Sequence, residues 1–448
     1  MRKMRKSAAL ILLSAAVLGA CGKVTDAGGK EGKKSSESQN QEKSVSLNLF
    51  YSGEDAKWVS TMEELRESFM SEYPYIELNM EHSEAGIYTE DLKVREATED
   101  FPDIFEIQNP YTFWGADKLG EIPKEVTDLV EEPVLIEGKA YAVPSYTTTY
   151  GMIYNQVIFK KYGLEVPKTY EEFLKICDVL YEKGVIPIAS GGSKTDSLSY
   201  WLNYFFQTDV ISKTPDWQEK RNKGEVSFQG EDTRKMLLDY QTLMSGKYIL
   251  EDSVNMNDNQ IVSQMIDGKI AMIYTGPWML SQIIDAYPDA VSSDKNTRGE
   301  ALEVDPVKCR AGWFFMPDEQ GNPVVINESG SEWGISGACA EDEEKKEAMI
   351  TFFQYFYRKS IYQNVLQSMY AVPSTKEAII YASPGVHQGF LVDYRYADKT
   401  TSYLGNNQTP EGFDVAMYKM LKSVATGVMS VDTAATKLDE SWDEYRGS

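Results

Sequence analysis

Between Val45 and Ile107 the chain switches its hydrophobic period again and again, and that rhythm restricts the folds open to it. Val45, Leu47 and Leu49 alternate with Ser46 and Asn48, the period-2 pattern of a sheet element. A turn at Ser52-Gly53 leads into a helical stretch with Trp58, Met62, Leu65 and Phe69 on one face, stopped by Pro74. Ile76, Leu78 and Met80 alternate again, a polar helix-like stretch follows, and Asp103-Ile104-Phe105-Glu106-Ile107 reads as a third strand. Strand, helix, strand, helix, strand in immediate succession builds a largely parallel sheet with right-handed crossovers. Ligands of such sheets lie outside the carboxyl ends of the strands. The loops Tyr51-Ser52-Gly53-Glu54 and Gln108-Asn109-Pro110-Tyr111 end strands here, so Tyr51, Glu54 and Asn109 are candidate contacts.

The same grain restarts further on. Thr169-Tyr170-Glu171-Glu172 reads as a capping box, with Thr169 bonding the amide three residues on and Glu172 reaching back. Tyr170, Phe173, Cys177 and Leu180 form the apolar stripe of the helix that follows. Val185 to Ser190 is strand-like and ends at Gly191-Gly192; Ile270 to Tyr274 is a buried-type strand turning at Thr275-Gly276 into a helix that starts at Pro277. Ala348, Phe352, Phe353 and Phe356 mark another helix, and Val431, Ala434, Ala435, Leu438 and Trp442 the last. The ~400 residues after position 44 exceed what one core accommodates, so two α/β lobes are expected.

The first 44 residues belong to no lobe. Arg2, Lys3, Arg5 and Lys6 precede an apolar run from Ala8 to Val17, and Leu18-Gly19-Ala20-Cys21 follows. A basic flank, a short apolar run and small residues are the marks of a secretory signal, here residues 1–20. The run is too short to cross ~30 Å of hydrocarbon. Leu18 to Cys21 resembles a bacterial lipobox, which implies lipid on Cys21 and an acylated N-terminus; more than one chain is what makes such an anchor stable. Residues 22–44 carry almost no apolar side chains, the composition of a flexible tether. Cys177, Cys309 and Cys339 then remain, an odd and widely spaced set that argues against a disulfide framework.

Charge and motif content exclude several functions. The chain holds 45 Lys and Arg against 69 Asp and Glu. Loss of the signal leaves 41 against 69, near −28. Nucleic acid, which needs a basic face, is excluded as a partner, and an acidic body stands off an anionic bilayer. Only His82 and His387 are present, neither near a Cys, so no zinc cluster forms and no metal or cofactor is expected. No G-x-S-x-G elbow appears, and Gly191-Gly192-Ser193-Lys194-Thr195 lacks the first glycine of a P-loop.

Phe101-Pro102-Asp103-Ile104-Phe105 and Gly138-Lys139-Ala140-Tyr141-Ala142-Val143-Pro144 together resemble the PD-hydrophobic strand and hinge approach of family 1 extracellular solute-binding proteins, the group that includes maltose-binding protein. Met152-Ile153-Tyr154-Asn155, the helix start Pro167 to Phe173, Asp267 to Met272 running into Gly276-Pro277-Trp278, and the stretch Gly427 to Trp442 are similar to that family in the same order. Met369-Tyr370-Ala371-Val372-Pro373-Ser374 departs from it, lacking the basic residue common after that proline.

The resemblance implies a two-lobe, periplasmic-binding-protein-like α/β fold with a multi-strand hinge. One lobe would comprise 45–147 plus 326–373, the other 148–325 plus 374–448. It implies a non-enzymatic, monomeric component of an ABC importer at the outer face of the bacterial membrane. A carbohydrate would be captured between the lobes and delivered to the permease subunits. A sugar presents C–H faces to aromatic rings and hydroxyls to carboxylates and amides. Trp201 after the Gly-rich loop, Trp278 after Gly276-Pro277, and Glu332 and Trp333 after Gly330-Ser331 are therefore further candidates, with core packing the competing reading for each tryptophan. The crossing segment 144–150 adds Tyr146, with Ser145 and Tyr150 beside it. A surface glycan-active enzyme and a binder of peptides or polyol phosphates remain as alternatives.

Overall fold

The computed structural model describes residues 44–446 apart from 54–55, 85–87, 99, 108–109, 117, 191–194, 289–307, 407 and 411. Its strands are β1 (Val45–Tyr51), β2 (Ile76–His82), β3 (Ile104–Ile107), β4 (Val134–Ile136), β5 (Lys139–Thr148), β6 (Gly151–Asn155), β7 (Ile186–Ala189), β8 (Ile270–Thr275), β9 (Ala311–Phe314), β10 (Val325–Ile326), β11 (Glu328–Ile335) and β12 (Lys399–Thr400). They form a six-stranded sheet in the order β2-β1-β3-β11-β5-β4, a four-stranded sheet in the order β7-β8-β6-β9, and a small β10-β12 pair.

The rhythm of the first hundred residues produces the parallel half of the larger sheet. β1 runs parallel to β2 and to β3, as strand–helix–strand connections require. The helix Ala56–Glu72 buries Trp58, Met62, Leu65 and Phe69 against it, the four residues that its periodicity singles out. The other half is antiparallel: β11 returns beside β3, and β5 and β4 close the edge. Helix Glu343–Phe356 covers the same core with Ala348, Phe352, Phe353 and Phe356.

The second sheet has its own core. β7 and β8 are parallel, and β6 pairs antiparallel with both β8 and β9. Helix Tyr170–Glu182 packs on it through Phe173, Ile176, Cys177 and Leu180. Thr169 accepts a bond from the Glu172 amide, as expected of its cap, but the Glu172 carboxylate takes the Lys168 amide at 2.8 Å rather than that of Thr169. Pro277 caps helix Trp278–Ala286 instead of opening it. The last helix, Val431–Arg446, buries Ala434, Ala435, Leu438 and Trp442. Asp439 ties it down, accepting from the Phe228 amide and pairing with the buried Arg221 at 3.1 Å. Cys177, Cys309 and Cys339 are all buried and unbridged.

Three passages connect the sheets. β5 leads through Thr149-Tyr150 into β6, β10 into β11, and the segment after Met369 makes bridges Thr147↔Val372 and Val130↔Thr375. At the last passage the two cores interleave: Tyr370 and Val372 pack with Ile153 and Phe390, whereas Ile379 and Tyr381 pack with the core of the larger sheet.

Phe69 shows how the first core is closed. It is fully buried, with ring centroids 5.7 Å from Phe352 and 5.2 Å from Tyr355. Phe69→Ala is expected to lower stability by about 3–5 kcal/mol in urea titrations. A loss below about 1 kcal/mol would contradict this packing.

Candidate functional site

A cleft of about 400 Å³ lies where the crossing strands meet the loops of both sheets, a size typical of small-molecule sites. Ser52 and Ile107 enter it from the ends of β1 and β3, Tyr146 and Thr148 from β5, and Glu328 to Glu332 from β11. The opposite side is supplied by Tyr200 and Asn203 on helix Ser199–Phe205, Thr275 at the end of β8 and Trp278 beyond it, and Tyr403, Asp414 and Tyr418 near the C-terminus.

Its aromatic rings form two groups, each backed by one core. Tyr150 stacks on Tyr200 with centroids 4.3 Å apart, and the edge of Trp278 meets both at 6.2 and 6.1 Å. Across the cleft Tyr146 meets Trp58 edge-on at 5.8 Å. Two glycines make these positions possible. A Cβ on Gly276 would overlap the Trp278 ring, and one on Gly330 the Tyr146 ring.

Polar groups line the rest. Glu106, on β3, accepts from the Ser52 amide at 2.6 Å and from the Ser331 hydroxyl, which ties the end of β1 to β11. Asn203 exchanges bonds with both backbone groups of Leu404, holding the Tyr403 segment against its helix. Glu328 and Glu332 stand on the cleft floor, and one oxygen of each, Oε2, is buried with no hydrogen-bond partner. Burial pushes the Glu328 carboxyl up to about 8, with repulsion from Glu332 adding to the effect; burial pushes Glu332 up to about 7.

Of the residues singled out from sequence, Tyr146, Trp278 and Glu332 line the cleft, as does Tyr150. Tyr51, Trp201 and Trp333 do not; each is fully buried, and core packing accounts for them. Tyr51 points into the core of the larger sheet, Trp201 packs on Tyr274 with centroids 4.4 Å apart, and Trp333 lies between Trp58 and Phe356. Ser145 is buried too, donating to the Ser331 carbonyl. Glu54, Asn109 and the lipid-bearing Cys21 lie outside the described residues.

Sequence reasoning missed Trp58, Tyr200, Tyr403, Tyr418, Glu106 and Glu328. Tyr200 is the instructive case. On a helix, neighbouring side chains point about 100° apart, so Tyr200 faces the cleft because Trp201 faces the core. Glu328, four residues before Glu332 on one strand, was within reach of a period-2 argument.

Two α/β bodies with a solute-sized cleft at their crossing strands define a two-lobed binding protein. Residues 52–357 match the family described as bacterial extracellular solute-binding protein, and the chain belongs to that family. It is 24% identical over 242 residues to the melibiose/raffinose/stachyose-binding protein MelE of Bacillus subtilis (strain 168), covering 51% of this chain and 55% of that one. It is 27% identical over 219 residues to the multiple sugar-binding protein of Streptococcus mutans serotype c, covering 46% of each. The chain thus spans about half the length of the curated relatives it matches. Among solved structures, a chitin oligosaccharide binding protein superposes with TM-score 0.76 at 20% identity, over 90% of this chain and 100% of that one. The protein RafE in complex with raffinose superposes with TM-score 0.68 at 18% identity, over 90% and 100%. At these identities the likeness establishes the two-lobe fold.

The raised carboxyls on the cleft floor carry a consequence for stability. The folded chain holds their protons more tightly than an unfolded one, whose Glu titrates near 4.5. Their contribution is therefore full below about 4.5 and is lost as pH rises through about 7 and about 8. Between pH 5 and pH 8.5 the Tm of the ligand-free protein is expected to fall further than that of the Glu328→Gln/Glu332→Gln variant. Parallel falls in pH-resolved thermal melts would show that these two carboxyls do not govern the trend.

Proposed function

We propose that this chain is the solute-capturing component of an ABC importer, and that its solute is a sugar or oligosaccharide. The observation that carries this reading is the cleft itself. Aromatic faces at Tyr150, Tyr200 and Trp278 stand opposite Trp58 and Tyr146, with carboxylates, an amide and hydroxyls between them. Rings cover the C–H faces of a pyranose, and the planar polar groups satisfy its hydroxyls. The relatives named for sugars support the same choice of solute.

In this reading the lobes are 45–147 plus 326–373 and 148–325 plus 374–448, and they close about the crossing strands. Only a solute that touches both lobes favours closure, because a ligand shifts an equilibrium by its differential affinity alone. Lys57, on the helix after β1, already reaches across, donating to Ser281 Oγ at 2.9 Å with Asp285 at 3.5 Å. The closed form then docks on the permease subunits. The protein acts as a monomer and catalyses nothing. Lipid on Cys21, after removal of residues 1–20, holds it at the outer face of the membrane, with residues 22–44 as tether. Among the described residues no helix is long and apolar enough to cross a membrane, and the anchor supplies that attachment.

The test is a thermal-shift and calorimetric screen of the purified protein against mono- and oligosaccharides, with peptides and polyol phosphates as controls. A saccharide at about 100 times its Kd is expected to stabilise by about 2.7 kcal/mol. Trp278→Ala is expected to weaken that saccharide about tenfold, or ~1.4 kcal/mol. Small-angle scattering is expected to show a more compact protein once the saccharide is bound. Stabilisation by a control alone would overturn the choice of solute, and an unchanged scattering profile would overturn closure.

A further inference from the structure

Among the described residues the charge of the cleft is one-sided. Its described lining includes Glu106, Asp258, Glu328, Glu332 and Asp414 and contains no Lys, Arg or His. Glu106 is accounted for by the Ser52 amide and the Ser331 hydroxyl. Glu332 has the Ser329 side chain as a donor, but the buried Oε2 of Glu332 and that of Glu328 lack one. Burial raises both carboxyls, with repulsion from Glu332 adding to the effect at Glu328 and the Ser329 side chain easing it at Glu332.

A second observation points the same way. Thr148 is the cross-strand partner of Glu328, is only 5% exposed, lines the cleft, and has a hydroxyl with no partner. The Oε1 of Gln282 on the facing helix is likewise without a partner. The unmet demand of the cleft is thus dominated by acceptors. A neutral hydroxyl brings one donor and two lone pairs and no charge to favour the ionised form of either acid. An ammonium brings three donors, no acceptor and a compensating charge.

Resting on the carbohydrate reading above, we propose that the solute is an amine-bearing saccharide, whose ammonium seats against Glu328 and Glu332 beside Thr148 while the aromatic groups take its rings. The chemical class is an amino sugar or a short oligosaccharide of amino sugars with the amine free rather than acylated. Acylation removes the charge and two of the three donors, so the N-acetyl counterpart is the natural discriminator.

Isothermal titration of the full chain with glucosamine oligosaccharides and their N-acetylated counterparts of equal length tests this directly. Neutral galactosides and spermidine serve as further ligands. The free-amine saccharide is expected to bind at least tenfold tighter than its N-acetyl form, and the ratio is expected to shrink as salt rises. Glu328→Gln and Glu332→Gln, each checked for an intact melt, are expected to collapse the ratio towards one. A preference that survives both substitutions would overturn the assignment to this pair. An N-acetylated or neutral saccharide binding as tightly as the amine would overturn the inference and leave the carbohydrate reading standing. Binding of spermidine alone, or of no saccharide at all, would overturn both.

Discussion

The pairing of β5 with β11 carries the rest of the structure. Its register runs from Glu328↔Thr148 to Gly334↔Ala142, so one ladder is interior to the larger sheet at one end and floors the cleft at the other. Its neighbourhood is secured by buried bonds. Ser145 donates to the Ser331 carbonyl, and the Pro144 carbonyl accepts from both Tyr357 and Ser374. Buried polar groups satisfied in this way impose one arrangement, because any slip would strand them without partners. Register shifts at Ser329, Ser331 and Glu332 then interrupt the regular pairing. Such irregularities re-aim side chains, and here the disturbed stretch is the one that delivers Glu328, Gly330 and Glu332 to the cleft.

The cleft is built from groups that cores ordinarily avoid, placed where the surrounding packing leaves them no alternative. Trp58 is buried between Trp333 and Tyr146, so the wall it forms is an extension of the first core. Tyr200 and Trp278 continue the second core in the same manner. Rings held from behind lose little further freedom when a ligand arrives, which favours binding. The acids are the opposite case. Their buried oxygens make the empty cleft unfavourable in itself, a local cost of the kind that binding sites retain when ligand contact relieves it.

Much of the fold was legible along the chain. The helix faces at 56–72, 343–356 and 431–446, the parallel grouping of the first three strands and the cap at Thr169 all follow from periodicity and local hydrogen bonding, which act over a few residues. Legibility weakened at the cleft. Trp278, singled out after Gly276-Pro277, and Glu332, singled out after Gly330-Ser331, both stand at the lining. Tyr51 and Trp333 were drawn into the candidate set by lying near strand ends, yet alternation turns both into the core, one strand residue away from groups that line the cleft.

By itself, then, the sequence determined which segments are strands and helices, which faces are apolar, and that two α/β bodies share one chain. Those properties depend on neighbours within a turn or a strand. Tertiary structure alone decided which aromatic of an adjacent pair meets solute and which acids are brought together. Tyr200 and Trp201 have equal claims until the helix is docked, and Glu106, Glu328 and Asp414 lie far apart in sequence. The period of an element is written locally, but its phase towards the cleft is set by the packing of two cores around the β5–β11 ladder, a property of the assembled fold.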